Sequence, residues 1–444
     1  MSNELYSDYE TLSGARQTRI MSFFGQILKF PLRRKDITTA VKSLLRIKGE
    51  ASAIKLAHRV LQLYAATDKE GKENFFRFLL TDLGPDETKL SAAIEAYREA
   101  PDANSYIALL QAVEPLRQDL IRTLNWAPSG TATLISMRAD LLTMMRDNSE
   151  LRVVDYDFQH LLTSWFNRGF LNLQRISWNT PAFILEKLIR YESVHEIRDW
   201  KDLQRRLADD RRCFAFFHPQ LPDEPLIFVE VALTKGLVSN ISDVLDDRHH
   251  GPDDDDPVVP DTAIFYSINN CQVGLRGISF GNFLIKQVAD ELADEISSLR
   301  HYATLSPIPG FSAWLETIRL ARGADWLEPE DYDLLAKLQS PFWYQDEELA
   351  NALKPLMMTS CARYLVDEKS GEEPLDPVAR FHLSNGARIE RINWLGDVSE
   401  QRLDQSYGML VNYVYDRRSV VKNHESYVGN GRIATSSAIN SIRK

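Results

Sequence analysis

Apolar positions recur at helical spacing through the first third of the chain and gather into solid runs later. Ile54, Ala57, Val60, Leu61 and Tyr64 fall at i, i+3 and i+4 steps and predict a helix over 52–66. Phe75, Phe76, Phe78, Leu79 and Leu80 predict a second, which Gly84-Pro85-Asp86 stops. Asp86 then holds the N-cap position of a third helix through Ala92, Ile94 and Tyr97. Further helices are expected over 105–112, 116–124 and 131–146, with connections short enough for an antiparallel bundle.

From residue 150 onward the pattern changes. Apolar runs at 213–217 and 226–233 read as strands, separated by His218-Pro-Gln-Leu-Pro-Asp-Glu-Pro225, a proline-rich joint suited to a hairpin-type connection. Another strand is expected at 263–268. Leu284, Val288, Leu292 and Ile296 step by four and predict a helix over 283–299. A strand over 301–305, a helix near 312–321 and helices through 330–367 follow. Strand character returns at 377–383, 387–395 and 408–416. The pattern divides the chain into a helical domain, residues 1–150, and a mixed α/β domain, residues 151–444. A length of 444 residues independently favours two cores over one.

Composition narrows the class. With 44% hydrophobic and 26% charged residues the chain reads as soluble and globular. No apolar run approaches the roughly 18 residues needed to cross a bilayer. The first residues are acidic and polar, unlike a secretory or transit segment, and Ser441-Ile-Arg-Lys444 is not a peroxisomal address, so a cytoplasmic location is expected. A net charge of −11 disfavours nucleic acid as a partner while leaving room for a local basic patch. The scattered cysteines Cys213, Cys271 and Cys361 fit a reducing compartment and give no structural zinc pattern. His249, His250 and Asp253 to Asp256 lie in a run that reads as a solvated acidic loop rather than a metal site, because neighbouring carboxylates repel.

The most informative local feature is Arg276-Gly-Ile-Ser-Phe-Gly281, set after a strand and before an amphipathic helix. Such a turn presents unpaired backbone N–H groups at a helix N-terminus, where the dipole also favours anions. Gly277 and Gly281 remove Cβ atoms that would keep a pyrophosphate from the backbone. The form resembles the Arg/Gln-x-x-Gly-x-Gly/Ala loop with which GCN5-related acetyltransferases grip coenzyme A. Arg276 takes the first position, Ser279 the middle glycine position and Gly281 the last. Coenzyme A is the leading ligand, and Arg276, Gly277, Ser279, Phe280, Gly281 and Asn282 are its expected contacts.

Several ordered segments together resemble malonyl-CoA decarboxylases. They are 218–233, Phe265-Tyr-Ser267, Gly274-Leu-Arg-Gly277, Phe283-Leu-Ile-Lys286, Leu305-Ser-Pro-Ile-Pro-Gly-Phe311, 377–387 and Arg391-Ile-Asn-Trp394. The resemblance implies a helical oligomerisation domain followed by an acetyltransferase-like mixed α/β catalytic domain. It implies conversion of malonyl-CoA to acetyl-CoA and carbon dioxide with no added cofactor, coenzyme A being part of the substrate. It also implies a homo-oligomer, dimer or tetramer. The family's Ser/His dyad maps onto Ser306 and His382, and its supporting hydroxyls onto Ser267 and Tyr415. Some members carry a glutamate where this chain has Ser279.

Those residue types suit the chemistry. Decarboxylation leaves a thioester enolate, so only contacts stronger in the transition state accelerate it. A neutral serine hydroxyl orients the departing carboxylate without clamping its charge. Ser306 precedes Pro307 and is biased toward extended backbone at a strand's end. His382 is expected on a strand just before the hairpin signal Asn385-Gly386, with Ala379, Phe381 and Leu383 on one face and Arg380, His382 and Ser384 on the other. An imidazole with an ordinary pKa of about 6.5 suits proton delivery. Either Tyr413 or Tyr415 is expected to face the site. His218, in its proline-rich joint, reads as structural; His301 flanks the Ser306 strand and stays a rival. Two other functions share the coenzyme grip, acyl transfer to an amine and non-catalytic sensing of malonyl-CoA.

Overall fold

The computed structural model describes residues 36–246, 259–278 and 284–443. They form two compact units, one of residues 36–134 and 140–158, the other of 135–139 and 159 onward.

The helices of the amino-terminal region are α1 (Ile37–Leu44), α2 (Glu50–Ala65), α3 (Lys69–Thr81), α4 (Glu87–Glu99), α5 (Ala103–Val113), α6 (Leu116–Leu124), α7 (Gly130–Met144) and α8 (Arg152–Trp165). Asp86 caps α4 as its position predicts, accepting the N–H groups of Thr88 and Lys89 at 3.1 Å each. Tyr64 on α2 packs edge-on against Phe75 and Phe76 of α3, and its hydroxyl donates to Asp140 at 2.8 Å. Arg117 pairs with Asp157 in the interior of this unit, and Gln118 donates to the other carboxylate oxygen at 2.6 Å, so the buried charge is matched. α5 buries none of its residues and exposes Tyr106, Ile107, Leu110 and Val113.

The second unit is built on one sheet of β1 (Asn172–Ile176), β2 (Arg211–Phe217), β3 (Ile227–Thr234), β4 (Thr262–Asn270), β5 (His301–Thr304), β6 (Ser306–Pro307), β7 (Arg388–Asn393) and β8 (Leu410–Val414). The order runs β1-β2-β3-β4-β5-β8, with β8 also pairing β6 and β7. Every pairing is antiparallel except β4–β5. A parallel step needs a crossover, supplied by α11 (Leu284–Glu295), after α9 (Ala182–Tyr191) and α10 (Trp200–Arg206) earlier in the chain. Ile184, Leu185 and Leu188 of α9 cover Cys213, Ala215 and Phe217 of β2, alternate residues on one sheet face. Strands buried on both faces explain why β2 and β3 read as unbroken apolar runs. All three cysteines are free and buried. The remaining helices that matter here are α12 (Phe311–Ala321), α13 (Glu347–Val366), α14 (Pro377–Ser384) and α15 (Val420–Asn430). The architecture is a helical domain followed by a mixed α/β domain.

One expectation is overturned where it matters most. Residues 377–383 are not a strand but helix α14. Pro377 occupies the first helical position, and the Asp376 side chain caps it by accepting Ala379 N–H at 2.7 Å. Asn385-Gly386 is the helix stop, not a hairpin. Gly386 adopts φ +84°, Ala387 N–H bonds His382 carbonyl at 3.1 Å and Gly386 N–H bonds Leu383 carbonyl at 2.9 Å, which together close a Schellman motif. Strand β1, which the apolar pattern did not announce, pairs its Ile176 with Cys213.

Candidate active site

β5, β6 and β8 belong to one antiparallel ladder: Ala303 lies opposite Val414, and Ser306 opposite Val411. Between them the backbone pairing opens. Tyr413 N–H donates to the Thr304 hydroxyl at 3.2 Å, and the Thr304 carbonyl accepts from the Asn412 side chain at 2.7 Å. Side chains thus replace ladder bonds and give these two backbone groups partners. Thr304 and Ser306, two apart on the strand, share a face, and their hydroxyls sit 2.8 Å apart.

His382 meets that face from α14. Helical spacing puts Ala379, His382 and Leu383 on the buried side and leaves Phe381 38% exposed, the reverse of the grouping a strand would give. Its ring stacks on Tyr413, with centroids 4.5 Å apart. Nε2 lies 3.1 Å from Ser306 Oγ, and Nδ1 lies 2.7 Å from the Tyr415 hydroxyl. Both tyrosines of the 413/415 pair therefore touch His382, one by stacking and one by hydrogen bonding. Ser306, His382 and Tyr415 are all buried.

Burial sets the charge of these groups. Burial pushes the Tyr415 phenol well above its ordinary range and the His382 imidazole down to about 3, so both are neutral at pH 7. Where the Tyr415 phenol donates across this contact, Nδ1 accepts. The neutral ring then carries its hydrogen on Nε2, which donates to Ser306. Ser306 in turn keeps its own hydrogen for Thr304 or for a ligand. In this tautomer the polarity runs Tyr415 to His382 to Ser306 to Thr304. This wiring offers protons and hydrogen bonds to whatever lies beside Ser306, and it does not strip the serine of its proton to make a nucleophile.

Ser306 and His382 open onto a mainly apolar cavity of about 420 Å³, whose walls include Val229, Phe265, Tyr266, Ile268 and Phe381. Consecutive residues of a strand normally face opposite ways. Phe265 and Tyr266 both reach the cavity because β4 bulges there: Glu230 pairs with Ser267 but Val231 pairs with Phe265. Ile278 and Leu284, on either side of residues 279–283, also line it. Gly277 adopts φ +79°, where glycine is at ease, and Arg276 is exposed. Ser279, Phe280, Gly281 and Asn282 lie outside the described residues, as do His249, His250 and Asp253 to Asp256.

Ser267 is not part of the Ser306 cluster. Its hydroxyl donates to Glu192 at 2.7 Å and accepts from Asn269 at 2.6 Å. Glu192 also accepts the N–H groups of Val194 and His195, both at 2.7 Å, so this network holds the turn whose Val194 lines the cavity. His218 is structural, with Nδ1 accepting Gln220 N–H at 3.2 Å and its ring packed on Phe166. His301 is exposed. Thr304 escaped sequence reading; its one available signal was the i, i+2 spacing from Ser306. No group of His, Cys, Asp and Glu suited to a metal ion occurs among the described residues. Nor is any described helix long and apolar enough to cross a membrane.

A buried hydroxyl–imidazole–phenol chain opening on an apolar cavity, mounted on a mixed α/β frame, is the build of an acid–base enzyme. The chain belongs to the malonyl-CoA decarboxylase family. The family model of the malonyl-CoA decarboxylase C-terminal domain matches residues 169–444, and that of the N-terminal domain matches 83–166. The mitochondrial malonyl-CoA decarboxylase of Anser anser anser is 35% identical over 393 residues, 81% of this chain and 77% of that one. Among solved structures, the malonyl-CoA decarboxylase of Rhodopseudomonas palustris is 48% identical with a TM-score of 0.88, covering 93% of this chain and all (100%) of that one. That of Agrobacterium vitis is 47% identical at a TM-score of 0.87, covering 92% and 100%.

Proposed function

We propose that this protein decarboxylates malonyl-CoA to acetyl-CoA and carbon dioxide, with Ser306 orienting the carboxylate and His382 delivering the proton. The observation that carries the reading is the contact of His382 with both hydroxyls, Nε2 at 3.1 Å from Ser306 Oγ and Nδ1 at 2.7 Å from the Tyr415 hydroxyl. Ser306 Oγ–H orients the malonyl carboxylate as a neutral donor, so it adds little stabilisation to a charge that must leave. The thioester carbonyl takes up the electron pair, so the reaction needs no added cofactor. His382 then gives its Nε2 proton to the enolate carbon, a stronger base than the imidazolate left behind. Tyr415 fixes the tautomer that makes this possible. Ser267 acts at one remove, through Glu192 and the Val194 turn. Arg276, Gly277 and residues 279–282 receive the coenzyme A pyrophosphate at the start of α11.

The protein works as a homo-oligomer, dimer or tetramer, through its helical unit. Support comes from α5, whose exposed Tyr106, Ile107, Leu110 and Val113 form an apolar stripe fit to meet a second copy. A cytoplasmic setting agrees with three free, buried thiols. The test is to incubate the protein with malonyl-CoA, adding neither cofactor nor acceptor, and follow acetyl-CoA by mass spectrometry. Acetyl-CoA formation, lowered roughly 10²–10⁴-fold in Ser306→Ala and His382→Ala, supports the reading. Binding without turnover sinks it in favour of a sensor; thiol release that depends on an added amine sinks it in favour of an acyltransferase.

A further inference from the structure

Loss of carbon dioxide from a malonyl carboxylate leaves one C–H bond to be made, so every turnover consumes one proton from the medium. Ser306 and His382 face the first cavity, where bound substrate stands between them and bulk water. His382 is 3% exposed and its ring is held neutral, so it stores no spare proton.

A second cavity of about 230 Å³, room for several waters, lies on the other side of the catalytic ring. Tyr415 lines the second cavity and His382 the first, so their 2.7 Å hydrogen bond joins the two. Ile285 of α11 borders both and forms an apolar partition. Lys286, Asp290, Tyr302, Asn385, Arg417 and His424 complete the polar lining. Arg417 and Val421 are exposed and place the rim of this cavity at the surface. Tyr302 sits across the ladder from Tyr415, and its buried hydroxyl has no hydrogen-bond partner among the described residues, which marks the lining as a place for water. His424 Nδ1 lies 2.6 Å from the Ser384 carbonyl, which can only accept, so Nδ1 carries a hydrogen.

We propose that the second cavity is the proton inlet of the reaction, with His424 and Tyr415 passing a proton from water to His382 while substrate fills the first cavity. This inference rests on the decarboxylase reading. The His382 Nε2–H bond breaks as the C–H bond of the acetyl group forms. The Tyr415 O–H bond breaks as Nδ1–H forms, and the phenolate oxygen recovers a proton from cavity water that His424 supplies from solvent. Carboxylate plus one proton becomes acetyl thioester plus carbon dioxide, and the sum balances. Once product has left, water in the first cavity protonates Nε2, Nδ1 passes its proton to the Tyr415 oxygen and Tyr415 gives its own to water in the second cavity, so the starting tautomer is restored and one proton is consumed over the cycle.

The experiment measures kcat, KM and the solvent deuterium isotope effect for malonyl-CoA decarboxylation in the full chain. His424→Asn keeps a donor for the Ser384 carbonyl but cannot relay a proton; it is expected to lower kcat roughly tenfold with KM held, and to raise the isotope effect. Ala289→Phe, which fills the cavity from α11, should do the same by displacing water. His424→Ala should recover activity when imidazole is added, which a merely structural role would not give. Unchanged kcat and isotope effect in both His424→Asn and Ala289→Phe overturn the inlet, as does a rise in KM alone, which would make the cavity part of the coenzyme site. A wild-type protein that forms no acetyl-CoA overturns the decarboxylase reading, and the inlet falls with it.

Discussion

The Thr304 hydroxyl lies 2.8 Å from that of Ser306 and simultaneously accepts the backbone N–H of Tyr413 at 3.2 Å. One threonine thus ties the reactive serine to the strand that carries both tyrosines against His382. Thr304→Val keeps the shape but removes the acceptor from two buried donors, a loss of roughly 1–3 kcal/mol for each unsatisfied group. The expected outcome is a fall in kcat of about tenfold or more with KM nearly unchanged, and recovery in Thr304→Ser. Steady-state kinetics of the two variants decide it; equal activity in all three proteins removes Thr304 from the mechanism.

An ordinary histidine would give the rate profile a limb near pH 6.5. Burial pushes His382 down to about 3, so this residue is expected to add no such limb to kcat through the neutral range. A pH–rate profile from pH 5 to 8 checks this.

The same shift has a stability consequence of definite sign. The unfolded chain binds a proton on His382 below about pH 6.5 that the folded chain refuses until about pH 3. Stability from this group is present above the unfolded value and lost as pH falls through that window, by roughly 1.4 kcal/mol per unit at most. Burial also pushes Asp376 up to about 6, and that carboxyl acts in the opposite sense, losing stability as pH rises toward 6. The difference between wild type and His382→Gln isolates the histidine: urea unfolding between pH 4 and 7 should show a shallower rise of stability with pH in the variant.

Gly386 holds α14, and with it His382, at the correct stop. At φ +84° a side chain is strained, and an added Cβ would meet the Val420 carbonyl oxygen of α15. Gly386→Ala is expected to cost roughly 1–3 kcal/mol by thermal unfolding and to lower kcat as the imidazole shifts. An unchanged melting temperature would contradict the C-cap assignment.

The α5 stripe gives a prediction in the helical unit. Ile107→Glu and Leu110→Glu together place charges on residues 51% and 54% exposed, so the fold of the monomer should survive. Sedimentation velocity should show dissociation to smaller species. An unchanged sedimentation coefficient places the interface elsewhere.

Periodicity along the chain reached most of the scaffold. The 3.6-residue pattern located α2 and α6 within a residue or two, and the apolar runs located β2, β3 and β4, because burial of one face imposes its spacing on the residues that make it. It failed at 377–387, where eight helical residues are too few for a clear period and Asn385-Gly386 serves a helix stop as readily as a hairpin. It missed β1, whose residues are largely exposed and carry little apolar signal.

The site divides along the same line. The sequence by itself determined which residue types were present and in what order, and its resemblance to a family singled out Ser306, His382 and Tyr415. Only the tertiary structure decided that these three form one hydrogen-bonded chain, that Thr304 belongs to it and that Ser267 lies in a separate network. It also decided the protonation state, turning an imidazole expected near 6.5 into one held neutral to about 3. Spacing along a chain records which face a residue shares with its near neighbours. Hydrogen-bond partners and desolvation come from residues 33 and 76 positions away, and those exist only once the chain has folded.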